Sequence, residues 1–77
     1  MTTNYHAFLD ARHDDSPIPT IRAKEILDNI ASGEILKIIT SRESTVKNLR
    51  TLVANNPFNL LTHAKNEEGF VFYIEKQ

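Results

Sequence analysis

The 77-residue chain contains no cysteine, which excludes a disulfide framework, a zinc-thiolate site and thiol chemistry of any kind, and leaves an apolar core as the source of stability. Without cysteine the redox compartment is not readable. Glycine is nearly as scarce, with two residues, and neither forms the glycine-rich elbow that exposes a nucleophilic serine in hydrolases. No apolar run approaches the roughly 20 residues needed to cross a bilayer, and the start, MTTNYHAFLDAR, lacks the charged-then-apolar pattern of an export signal. These absences point to a cytoplasmic protein without membrane association. Net charge is also missing: nine Lys and Arg balance ten Asp and Glu, so no global field draws the chain to nucleic acid or anionic lipid.

What is present is one domain, residues 1–77, with 40% hydrophobic and 25% charged residues. A chain of this length buries only roughly 60% of its unfolded surface and cannot divide into two cores. Tyr5 to Asp10 alternates as a strand and Ala11 to Asp15 reads as a polar loop. From Pro17 to Ala31, Pro19, Thr20, Ala23, Ile26, Leu27, Ile30 and Ala31 share one helical face. Gly33 is placed to close that helix in a left-handed conformation, and Glu34 to Thr40 follows as a β-branched strand. SRES, Ser41 to Ser44, starts a second helix with Val46, Leu49, Leu52 and Val53 inward, which Pro57 ends. Phe58 to Asn66 and Phe70 to Lys76 form a hairpin around the Asn66 to Gly69 turn.

The order βαβαββ predicts an α/β fold, a two-layer sandwich of a four-stranded mixed sheet with two helices on one face. Phe70, Phe72 and Ile74 should face the helices. Val71, Tyr73 and Glu75 should face away, joined by Lys37 and His63. With Ile35 and Ile39 that open face is a surface a homodimer could cover, so the chain is expected to be a monomer or a weak homodimer.

One stretch, DARHDDSPIPTIRAKEIL from Asp10 to Leu27, has the outline of an anion site at a helix start. Pro17 at the first helical position is pre-set for helix entry, and neither Pro17 nor Pro19 carries an N–H. Ser16 is expected to cap the helix by accepting from the Ile18 N–H, worth about 1 kcal/mol relative to alanine. Asp10 and Arg12 at a strand end, Pro17 and Pro19, Ala23-Lys24 with Ile26-Leu27, Gly33-Glu34, and Ser44-Thr45-Val46-Lys47-Asn48-Leu49 together resemble the TusA/SirA family of small bacterial sulfur carriers over nearly the full chain.

The resemblance implies that the last strand lies inside the sheet, between the second and third, antiparallel to the rest. It also implies a persulfide relay on the cysteine of a Cys-Pro-x-Pro motif, where a helix N-terminus favours the sulfur anion. Here Ser16 occupies the place of that cysteine. A hydroxyl stays protonated at neutral pH and oxygen forms no exchangeable sulfur-sulfur bond. His13 and Asp14 further replace the family's glycine and leucine, and Asp15 adds a second carboxylate.

The favoured expectation is a non-catalytic TusA/SirA-like protein, not an enzyme and without cofactor. It would act as an interaction or regulatory module through Ile18, Ile21 and Arg22, with a desulfurase or sulfur-relay protein as partner if a sulfur-related role persists. A second reading is a sulfurtransferase whose active cysteine has been replaced at position 16. A third, an RNA-binding accessory protein, rests on Arg42, Lys47 and Arg50 and is disfavoured by the charge balance and the lack of a nearby aromatic platform. His13, Asp14 and Ser16 carry the side chains of a serine triad, but adjacent residues do not supply its geometry. His13, Asp14 and Asp15, with His6 or Asp10, read as a solvated acidic loop, and no metal site is expected.

Overall fold

The strand Ile35–Thr40 (β2) carries β-branched side chains on both faces, and the fold supplies partners on both of its edges. One partner is Ala7–Asp10 (β1), in parallel with Leu9 opposite Ile38. The other is Gly69–Lys76 (β4), antiparallel, with Leu36 opposite Ile74 and Ile38 opposite Phe72. Phe58–Asn66 (β3) pairs with the far side of β4, giving the order β1-β2-β4-β3. This is a computed structural model that describes residues 4–77. The first strand is shorter than its sequence suggests, beginning at Ala7 rather than Tyr5.

The connections β1 to β2 and β2 to β3 each carry a helix, Ile18–Asn29 (α1) and Glu43–Asn55 (α2). From element order alone β3 would follow β2 as its neighbour. Instead β4 occupies that place, antiparallel to both, as the family resemblance implies. That position explains why Val71, Phe72 and Ile74 are all buried: a central strand has apolar surroundings on both sides.

Helical spacing places Pro19, Ala23 and Leu27 of α1 and Thr45, Leu49 and Leu52 of α2 on the buried faces. They close over Leu9, Leu36, Ile38, Phe58, Phe72 and Ile74 as one core. Each fully buried Leu, Ile or Phe contributes roughly 1.5–3 kcal/mol, so a handful of residues dominates the stability of so small a domain.

The helix ends depart from expectation. At its C-terminus α1 stops at a cap on Ile30, while Gly33, at φ +87°, serves the following turn rather than the helix. The last carbonyls of α1 are met by a side chain from the far end of the chain: Lys76 Nζ donates to the Asp28 and Ile30 oxygens at 3.0 and 2.8 Å. Gly69, at φ +133°, follows the Glu67-Glu68 loop, and an added Cβ there would lie 2.5 Å from the Thr40 carbonyl oxygen.

Along β4, Phe72 and Ile74 join the core with Phe70 packed against it, as alternation predicts. Tyr73 and Lys37, paired across β2 and β4, face away from the helices, and the Lys37 ammonium lies 5.2, 5.7 and 5.8 Å from the ring centroids of Tyr5, Phe8 and Tyr73. His63 does not join them. It is opposite Phe72 in the register and stacks on that ring at 5.9 Å, on the helix side, because a bulge between Leu60 and Thr62 shifts which residues of β3 face which layer.

Candidate functional site

The segment Ala11 to Pro17 runs from the end of β1 to α1, and the structure ties it down at both ends and in the middle. Ala11 extends the sheet pairing, its N–H donating to the Ile39 oxygen at 2.7 Å. The Arg12 carbonyl accepts from the Ser41 hydroxyl at 2.7 Å. Asp14 accepts from Arg22 on α1 at 3.2 Å, and Asp15 pairs with Arg42, just before α2, at 2.8 Å. The loop therefore bridges the starts of both helices.

Asp10 and Arg12 form a planar fork: Arg12 Nε and Nη2 donate to the two carboxylate oxygens at 3.0 and 2.8 Å, and the Arg12 N–H adds a third bond at 3.2 Å. These donors hold the Asp10 carboxyl at about 2, well below its ordinary value, with the side-chain bond from Arg12 the largest cause. The Arg12 guanidinium is correspondingly pushed up by Asp10. Both residues are exposed or half-exposed, so the pair orients the strand end more than it stabilises the fold.

Ser16 is not the cap its sequence position predicts. The cap residue is Pro17, no side chain bonds the first turn, and the Ile18 N–H donates to the Asp15 carbonyl at 3.0 Å. The Ser16–Pro17 peptide is cis, and Pro19 rather than Pro17 is the proline inside the first turn. The Ser16 hydroxyl is instead held from the other helix, accepting a hydrogen bond from Asn48 Nδ2. Asn48 stands in the sequence as one residue of the Ser44 to Leu49 motif, with nothing local to mark it as the partner of Ser16. Its signal is helical spacing: Asn48 follows Thr45 by three residues and precedes Leu52 by four, on the border of the buried face of α2.

Beside Ser16, Pro17 and Thr20 face Asn48, Thr51, Leu52, Asn55 and Asn56 across a cleft of about 350 Å³ between the two helices. Its walls carry carboxamides and hydroxyls with no ionisable group, and the buried Thr20 Oγ1 has no partner. Ile18 and Ile21 are 49% and 53% exposed on α1, with Arg22 beside them held by Asp14.

The remaining sequence candidates separate in space. Arg42 pairs with Asp15 of the loop, whereas Arg50 lines a different cleft with His63 and Lys65. Asp14 and Asp15 are drawn to arginines, and among the described residues no three His, Asp or Glu side chains gather as metal ligands. Among the described residues no helix is long and apolar enough to cross a membrane.

A two-layer βαβαββ sandwich with a proline-rich loop leading from the first strand into the first helix is the frame of a small sulfur-carrier domain. The TusA sulfurtransferase family model matches residues 7–76, and the chain belongs to that family. It is 36% identical over 69 residues to the sulfur carrier protein TusA of Allochromatium vinosum, covering 88% of this chain and 90% of that one. A protein of Methanocaldococcus jannaschii, named as a candidate sulfur carrier, is 25% identical over 68 residues, with 88% and 91% coverage. The crystal structure of a SirA-like protein from Desulfitobacterium hafniense superposes with a TM-score of 0.79 at 20% identity, covering 91% of this chain and 95% of the other, which shows the shared fold. Against that family background this chain has no cysteine, at position 16 or anywhere else.

Proposed function

We propose that this protein is a TusA-type domain that has left sulfur carriage and acts as a protein-interaction or regulatory module through the Ser16 to Pro19 loop and the exposed Ile18, Ile21 and Arg22 of α1. The observation that carries the reading is the environment of Ser16. Its oxygen stands where a carrier needs sulfur, and it is engaged by Asn48. A carrier must take up sulfur as a persulfide, and an alcohol offers neither the thiolate nor the breakable sulfur-sulfur bond.

The residues around Ser16 support a settled change over an isolated replacement of cysteine. Asp14 and Asp15 each have an arginine partner, Arg22 and Arg42. The acidic loop and its arginines form a matched set, which a single exchange at position 16 would not create. What remains is a stiff loop with two half-exposed isoleucines, whose burial against a partner would contribute roughly 25 cal/mol per Å² of apolar area removed from water.

The test uses purified protein, a cysteine desulfurase and sulfur-labelled cysteine. Label is expected to stay in the desulfurase, and stable loading of this chain refutes the non-carrier reading. Binding to the same desulfurase, followed by calorimetry, is expected to weaken at least about tenfold in Ile18→Asp with Ile21→Asp if the loop keeps the family's docking surface. Unchanged affinity in that variant would remove the docking assignment and leave the loss of sulfur chemistry standing.

A further inference from the structure

On the side of α2 turned away from Ser16, Val46 and Arg50 face His63, Ala64 and Lys65 of β3 and Phe70 and Phe72 of β4 across a cleft of about 380 Å³. Its rim is cationic. Lys65 Nζ lies 5.4 Å from the Phe70 centroid, His63 stacks on Phe72, and Arg50 faces them from the helix. Among the described residues, every ion pair involves other groups: Asp10, Asp14, Asp15, Asp28 and Glu68 pair with Arg12, Arg22, Arg42 and Lys24. Arg50, His63 and Lys65 thus share one cleft and have no carboxylate within pairing distance. In a chain of net charge −1 the unanswered charges of Arg50 and Lys65 are local and specific in place.

The cleft adjoins an open sheet edge. β3 ends the strand order, it is nine residues long, and residues 61–66 are exposed. A long edge strand presents a row of backbone donors and acceptors that another strand can meet. We propose that β3 and this cleft bind an extended acidic peptide segment of a partner protein, which adds a fifth strand to the sheet. Side chains of an added strand alternate between faces, so every second residue points to the helix side, about 7 Å apart. Acidic residues four apart would meet the Arg50, His63 and Lys65 rim. An apolar residue between them would cover Phe70, which is only partly buried.

The competing reading makes Lys65 an edge guard, a charge that prevents two copies of β3 from pairing. The two readings part in one experiment on the full chain. A fluorescein-labelled peptide, Thr-Glu-Thr-Val-Thr-Glu-Thr, is titrated by anisotropy, with a Gln-for-Glu peptide and single-stranded oligo-uridine as comparators. Isotope-labelled amide spectra of the unaltered chain locate the contact. The expected result is saturable, salt-weakened binding of the acidic peptide, amide shifts on His63 and Lys65, and a loss of roughly fivefold to tenfold in Arg50→Gln with Lys65→Gln, both exposed positions.

Equal binding of the Gln peptide, tighter binding of oligo-uridine, or shifts confined to the Ser16 loop would overturn the proposal. So would self-association of Lys65→Ala without any change in peptide affinity, which is the edge-guard result.

Discussion

Returning a sulfur atom to position 16 probes the electrostatics of the loop directly, since Ser16→Cys introduces the single thiol of the whole chain. The new Sγ would lie at the start of α1, within reach of Asn48 Nδ2, the group that now donates to the serine oxygen. A helix N-terminus stabilises an anion by about 0.3–1 kcal/mol. A hydrogen bond to a charged acceptor adds about 1.5–3 kcal/mol. Against these stands repulsion from Asp14 and Asp15, largely cancelled because each carboxylate already holds an arginine. A net of about 1.5–3 kcal/mol corresponds to one to two pKa units, taking the thiol from about 8.5 to roughly 6.5–7.5. The pH dependence of alkylation by iodoacetamide, read by mass spectrometry, measures that value. Adding Asn48→Ala should bring it back up by about one unit. A thiol titrating at or above about 8.5 would refute the reasoning, because the loop would then lack the anion-favouring field assigned to it.

Four further outcomes follow from the packing and the charges. The Asp10 carboxyl, held at about 2 against an ordinary 3.8, should stay ionised until pH falls close to 2; because its folded value is the depressed one, its contribution is complete above about 3.8 and is lost between there and 2, and Arg12→Ala should return the carbon-detected NMR titration toward the ordinary value. Leu27→Ala empties the centre of α1's buried face and should lower unfolding free energy in urea by about 2–5 kcal/mol, enough to unfold a marginal domain. Gly69→Ala brings a Cβ to within 2.5 Å of the Thr40 carbonyl at positive φ and should destabilise by at least about 1–3 kcal/mol, whereas Gly33→Ala meets open space and should cost about 1 kcal/mol. Thr45→Val removes a fully buried hydroxyl that has no hydrogen-bond partner, so the midpoint should hold or rise; a fall of more than about 1 kcal/mol would mean that the hydroxyl is engaged.

The sequence made the layers legible because both helices and the central strands obey strong periodicities. Pro19, Ala23 and Leu27 fall at four-residue steps, and Phe72 and Ile74 at two. It did not make strand order legible from pattern alone, since order depends on contacts between residues far apart in the chain; the central place of β4 came from family likeness. The loop shows the same limit. Serine before proline reads as a cap by local rules, but a tertiary partner, Asn48, captured the hydroxyl and left the first turn to the Asp15 carbonyl. Alternation puts His63 on the wrong face because one bulge, invisible in an apolar-polar pattern, reverses the sidedness of everything beyond it. The arginine partners of Asp14 and Asp15 were likewise hidden, being 8 and 27 positions away along the chain.

The central position of β4 also sets the order of events at the ribosome. The parallel pair formed by β1 and β2 has nothing to attach it to β3 until Gly69–Lys76 has been synthesised and has left the exit tunnel. Folding is thereby deferred to the completion of the final strand, and Lys76 then completes the end of α1 as well, so a nascent chain stopped before that strand would expose apolar surface to chaperones instead of forming a smaller stable domain.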